Sequence, residues 1–232
     1  MTRETTTARA GLIEKDWPSI IARFGAGDQT VSYPVSEADM AADARFWSEV
    51  LSGYGVGPGS RVLVCSSGME IGWTIPVRDA IGHLNGVVCP VEAWGWDARR
   101  FELFCRRLTP DVLLGANRAN IDGMAGIVEP SEGLSAVEHL LVHPDAVDPL
   151  LDAGISRPGI VVWLGPAAGV SLADGSGIGF DESQWTIDDE DGELVVSSKG
   201  NRAADFDRQR TGVAGHVETT AAGPRIVLDE LG

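Results

Sequence analysis

Three short apolar runs dominate the sequence: Arg61-Val62-Leu63-Val64-Cys65, Val87-Val88-Cys89-Pro90-Val91 and Asp111-Val112-Leu113-Leu114-Gly115. Runs of this length and branching, apolar at every position, are typical of strands buried on both faces of a parallel sheet. Helical patterns separate them. Residues 69–84 read as a helix distorted near Pro76, where a backbone donor is missing. Asp97 reads as the cap of a second helix, with Phe101, Phe104, Cys105 and Leu108 on one face. Strand, helix, strand, helix, strand at this spacing predicts a doubly wound α/β unit with right-handed crossovers.

The flanks extend this unit. Ser36 followed by Asp39 marks a helix start, and Met40, Ala44, Trp47, Leu51 and Tyr54 continue it as an apolar stripe. Glycine and proline between Gly53 and Gly59 end it. Pro144 to Ala153 reads as a short helix and Gly159–Leu164 as a further strand. Beyond residue 168 the pattern turns to short strands. Trp185–Asp188 and Glu193–Ser197 flank an acidic turn, and Val213–Thr219 and Arg225–Leu228 flank a second turn at Ala222-Gly223-Pro224. The expected organisation is an N-terminal arm over 1–35, with a short helix around Trp17–Phe24, then an α/β domain over 36–165. A small antiparallel β subdomain over 166–232 follows.

Charge narrows the function. The 232 residues carry 18 basic and 34 acidic side chains, a formal charge of −16, so nucleic acid and anionic membranes are poor partners. No apolar run approaches the roughly 20 residues of a membrane span. The first residues lack the apolar core of a secretory signal, which points to the cytoplasm. Cys65, Cys89 and Cys105 are irregularly spaced in apolar settings, and His139, His143 and His216 have no ligand-spaced partners, so no metal site is expected.

Three stretches together resemble one family. Gly57-Pro58-Gly59-Ser60-Arg61-Val62-Leu63-Val64, after Trp47–Val56, resembles the G-V-x-P-G-D-R-V segment of adenylate-forming enzymes. Ile81–Pro90 resembles their G-A-V-x-x-P strand. Asp191-Gly192-Glu193-Leu194-Val195-Val196, with Arg210-Thr211-Gly212 after it, resembles their G-E-L-x-V and R-T-G-D segments. The spacing over roughly residues 40–220 is most similar to the phenylacetate–CoA ligase branch of the acyl-CoA synthetase superfamily. The resemblance also implies parts that are not found. The glycine- and hydroxyl-rich phosphate loop expected ahead of the first α/β unit has no counterpart in residues 1–40. Ala168 stands where the family places its magnesium-holding acid, in Leu164-Gly165-Pro166-Ala167-Ala168. Val213 stands where it places the ribose-binding aspartate, and no lid domain with a catalytic lysine follows before Gly232. The expectation is a truncated homologue that needs no nucleotide cofactor and does not adenylate by the usual route.

Ligands of open α/β sheets bind beyond the carboxyl ends of the strands. Those ends carry Ser66, Ser67, Met69 and Glu70 after the first strand, and Glu92, Trp94 and Trp96 after the second, with Trp73 one turn into the following helix. Ser66, Ser67, Met69, Trp73, Trp94 and Trp96 are therefore the candidate binding residues, the alternative being that the tryptophans cover the sheet edge. Glu70 and Glu92 are a candidate acid/base pair, or else ordinary helix-start acids. His83 is a candidate catalytic base, or else a histidine at a helix end. Cys65 reads as an inert buried thiol. Two functions follow: binding of a small aryl or acyl ligand or its thioester, with an ATP-independent step on it, or a non-catalytic partner subunit. Self-association as a homo-oligomer is expected of a reduced parent fold.

Overall fold

The computed structural model describes residues 18–26, 29–68 and 70–229. Strands β3 (Arg61–Ser66), β4 (Val87–Glu92), β5 (Val112–Ala116), β6 (His139–Val142) and β7 (Gly159–Leu164) form a parallel sheet in the order β4-β3-β5-β6-β7. The alternation along each strand decides which helix goes where. Val62 and Val64 face α1 (Glu37–Gly53) and α2 (Ile71–His83) in one core that includes Trp47, Leu51, Val77 and Ile81. Leu63 and Cys65 face α3 (Ala98–Leu108), α4 (Arg118–Ala125) and α6 (Val147–Asp152) in a second core with Phe101, Ile121 and Leu150. A single-turn helix, α5 (Pro130–Gly133), precedes β6. The α/β doubly wound expectation holds, and the strand order reverses at β3, as the opposite faces of α2 and α3 require.

Local signals explain most element ends. Ser36 Oγ accepts the Asp39 N–H at 3.2 Å while Asp39 Oδ2 accepts the Ser36 N–H at 2.9 Å, a reciprocal cap on α1. Asp97 does not cap α3 as its position suggests. Its Oδ2 instead accepts the Glu92 N–H at 2.9 Å and the Arg100 guanidinium, tying the β4 end to the start of α3.

One further correction concerns the N-terminal hairpin. The helix expected around Trp17–Phe24 is a strand: β1 (Ile20–Ala26) pairs with β2 (Gln29–Val35) as an antiparallel hairpin, Ala22 opposite Tyr33, and Trp17 lies outside the described residues. Exposure alternates along β1, with Ile21, Arg23 and Gly25 outward and Ala22 buried, so period two prevails over the weak helical reading. After the parallel strands come the antiparallel ones, as the sequence predicts: β8 (Ala167–Ser171), β9 (Ile178–Gly179), β10 (Trp185–Glu190), β11 (Glu193–Ser198), β12 (Gln209–Thr220) and β13 (Gly223–Leu228). They extend the parallel sheet through the β7–β8 hairpin into a single sheet of eleven strands.

The free edge at β4 is closed to further pairing. Val87 and Ala93 donate to β3-side carbonyls of Ser60 and Ser66, so alternation turns positions 88, 90 and 92 outward. Pro90 has no donor, and the Glu92 N–H is taken by Asp97.

Gly115 tests how tightly the centre of this sheet is built. Its φ is +83°, and a Cβ there would meet the Cys65 carbonyl oxygen at 2.6 Å. Gly115→Ala is expected to destabilise the fold by about 2 kcal/mol or more, read as a lower urea midpoint with an unchanged slope.

Candidate functional site

A cleft of about 360 Å³ opens beyond the carboxyl ends of β3 and β7. Its floor is a stacked pair of indoles: the Trp73 and Trp163 ring centres lie 4.0 Å apart with an 18° interplanar angle. Trp163 closes β7, and Trp73 stands in the first turn of α2, so two sheet-anchored elements hold the pair. Beneath it, Trp163 Nε1–H donates to His143 Nε2 at 2.8 Å. That bond requires an unprotonated Nε2, and burial pushes the His143 imidazole below its ordinary 6.5. The Trp73 Nε1–H is buried with no acceptor among the described residues.

Small residues bring the hairpin onto this floor. A Cβ at Gly72 would lie 2.9 Å from Ala22 Cβ, and one at Gly165, whose φ is +64°, would lie 2.8 Å from the Phe24 ring. β1 therefore packs directly on the start of α2 and on the β7–β8 turn, and Phe24 and Tyr33 form one wall of the cleft. A buried ion pair adjoins this wall. Arg202 donates to Asp43 Oδ1 and Oδ2 at 2.9 and 2.8 Å, and its guanidinium lies 4.4 Å from the Trp185 ring centre. Desolvation pushes the Tyr33 hydroxyl upward, so it stays protonated.

The structure separates the sequence candidates. Glu70 and Trp73 line the cleft. Glu70 Oε2 accepts the Ser67 N–H at 2.5 Å, which folds the loop after β3 back on itself. Ser66 and Ser67 are half-buried behind that loop and are absent from the lining, and Met69 lies outside the described residues. Glu92 pairs in register with Ser66 but stands outside the cleft, its backbone held by Asp97 and Asn120. Trp94 and Trp96 are 49% and 74% exposed on the surface beyond β4. His83 is exposed at the end of α2, away from the strands' carboxyl ends. Among the described residues no three metal-ligating side chains gather. Burial pushes the Cys65 thiol well up, as for an inert sulfur.

Trp47, Trp163, His143 and Tyr33 were not singled out as site residues from the sequence. Trp163 and His143 end strands, so the rule that selected Glu70 and Trp94 applies to them too. Nothing in the sequence connects Arg202 to Asp43, which lies 159 residues away.

No family model and no curated protein matches the chain. Solved structures do share its fold. A 2-hydroxyisobutyryl-CoA ligase in complex with 2-HIB-AMP and CoA superposes with a TM-score of 0.72 at 13% identity, covering 97% of this chain and 60% of its own. The N-terminal domain of FACL13 from Mycobacterium tuberculosis gives 0.59 at 15% identity, covering 94% of this chain and 61% of that one. Acetoacetyl-CoA synthetase from Streptomyces lividans gives 0.53 at 16% identity, with 92% and 40% covered. The chain thus has the fold of part of an adenylate-forming acyl-CoA ligase and spans about 60% of the first of these proteins.

The Trp163–His143 bond sets a pH dependence. A histidine whose folded value is depressed contributes stability that is present above its unfolded value and lost as pH falls. Stability is expected to decline as pH is lowered from 7.5 through 6.5 toward 5. His143→Gln should flatten that decline in urea-midpoint measurements, although the variant is less stable at pH 7.5.

Proposed function

We propose that the chain binds an aryl or acyl small molecule, free or as its thioester, in the cleft over Trp73 and Trp163, without adenylating it. The observation that carries this reading is the composition of the lining. Phe24, Tyr33, Phe46, Trp47, Trp73 and Trp163 surround a volume suited to one ring system. Ala168, at the position where the resemblance places a magnesium-holding acid, lines the same cleft with a methyl group. Val213, at the position where the resemblance places the ribose-binding aspartate, is half-buried and packs against the core. In this reading the phenylacetate–CoA ligases are functional kin, the protein is cytoplasmic, and any chemistry is ATP-independent proton or acyl transfer with Glu70 as the acid/base group. Glu70 is the candidate acid that lies in the cleft. His83 and Glu92 would then act in helix termination and loop structure.

A second reading, a partner subunit or a self-associating scaffold, is favoured by one observation. Trp94, Trp96 and Leu103 are exposed away from the cleft, at 49%, 74% and 42%.

Titration of phenylacetate, 2-phenylethanol and a benzoyl thioester, followed by tryptophan fluorescence, tests the first reading. An aryl probe is expected to quench emission without nucleotide, Mg·ATP alone to leave it unchanged, and Trp73→Ala to weaken binding about tenfold. Binding that requires Mg·ATP, or no binding by any aryl probe, refutes it.

A further inference from the structure

We infer that the aryl ligand of this cleft carries a positively charged amine, held between Glu70 and the Trp73–Trp163 stack. The inference rests on the small-molecule reading above and adds the charge of the ligand.

The charge of the lining points that way. Among the described residues the cleft presents three carboxylates, Asp43, Glu70 and Asp181, and one basic side chain, Arg23. Asp43 is matched by Arg202 through two hydrogen bonds. Glu70 and Asp181 remain against Arg23, so the cleft keeps a net negative charge within a chain of charge −16. A free carboxylate or a phosphate entering here adds to that excess, whereas an ammonium offsets it.

The geometry offers the ammonium a place. Glu70 spends Oε2 on the Ser67 N–H, and Oε1 accepts no hydrogen bond among the described residues. Asp181 spends Oδ1 on the Ser183 N–H and hydroxyl, and Oδ2 is likewise open among the described residues. Glu70 stands at the start of α2, one turn before Trp73, whose ring is stacked on Trp163, and all three line the same cleft, so an open carboxylate oxygen and an aromatic platform share it. A cation over an indole face beside a carboxylate is stabilised by both. The protein already uses this combination beside the cleft: the Arg202 guanidinium lies 4.4 Å from the Trp185 ring centre while bonded to Asp43. The remaining aromatic lining then takes the ligand's ring.

The experiment compares three probes of one size by calorimetry at pH 7 on the full chain: 2-phenylethylamine, 2-phenylethanol and phenylacetate. The amine is expected to bind at least tenfold more tightly than phenylacetate, with the alcohol between them. In Glu70→Gln, which keeps an acceptor for Ser67, the preference for amine over alcohol should fall about tenfold, and raised salt should narrow it in the unmodified protein. Equal or tighter binding of phenylacetate, or an amine preference untouched by Glu70→Gln, overturns the inference while leaving the aryl-binding reading intact. Failure of all three probes to bind overturns both.

Discussion

Everything in this molecule depends on strands that are buried on both faces at once. Along β3 the side chains alternate between two separate cores, Val62 and Val64 in one, Leu63 and Cys65 in the other, and all four are essentially without solvent exposure. Such a strand has no face to offer water, so helices must cover both sides, and the chain must cross over on each side in turn. That requirement sets α2 and α3 on opposite faces and reverses the strand order at β3. Open α/β sheets accept ligands beyond the carboxyl ends of their strands, and here the loop after β3 meets β1–β2, α1 and the β7–β8 turn around a gap. Close approach at the gap is bought with glycine. At Gly115, a left-handed residue without a side chain, β5 passes against the Cys65 carbonyl with the Trp73 ring overhead.

The cleft is built by pieces that are distant in sequence and have almost no say individually. The hairpin β1–β2 contributes Phe24 and Tyr33, but only because Ala22 and Gly72 are small enough to let it settle on α2. Arg202 reaches α1 from the connection between β11 and β12, where its Nη atoms meet Asp43 and the Ala203 N–H meets Asp39 Oδ2 at 3.1 Å. Phe206 follows it into the same wall and packs at 5.4 Å on Tyr33 and 6.3 Å on Trp185. A buried ion pair of this kind adds little net stability over an apolar substitute, because both charges lose water. Its value is that neither partner tolerates being left alone, so the segment carrying Arg202 has one seat on α1.

How much of this was legible in the sequence follows from the range of each interaction. Strands β3, β4, β5 and β7, helices α1, α2, α3 and α6 and both late hairpins rest on local patterns and appear where the apolar runs, the Ser36 cap and the acidic turn at Asp189–Gly192 place them, whereas α4, α5 and β6 lie in a stretch without a clear period. The hairpin β1–β2 was misread because Ile20-Ile21-Ala22 fits either period; pairing with Thr30–Val35 decides it, and pairing is not local. The site was half legible. Glu70 and Trp73 follow from the strand-end rule, since the topology itself brings that loop to the gap. Trp94 and Trp96 obey the same rule yet lie on the surface, because β4 is the outermost strand and its loop turns away from the reversal. In the sequence Trp163 reads only as part of a strand and His143 as a histidine without ligand-spaced partners, and only the folded chain puts the imidazole 2.8 Å from the indole nitrogen.

The same distinction between local and assembled features bears on function. The segments that resemble adenylate-forming enzymes are scaffold: strands, turns and the bends between them, whose burial and backbone conformation any member of the fold must keep. The two positions that the resemblance assigns to magnesium and ribose contacts are Ala168, in the cleft lining, and Val213, packed against the core; neither side chain can hold a cation or accept from a sugar hydroxyl. What lines the cleft instead is aromatic surface with carboxylates at its rim. A fold specifies where a ligand can sit; the side chains that arrive there from five or six separate elements specify which ligand is stabilised. In the reading proposed above, that lining favours flat, uncharged or cationic surface over anions, with no change asked of the scaffold.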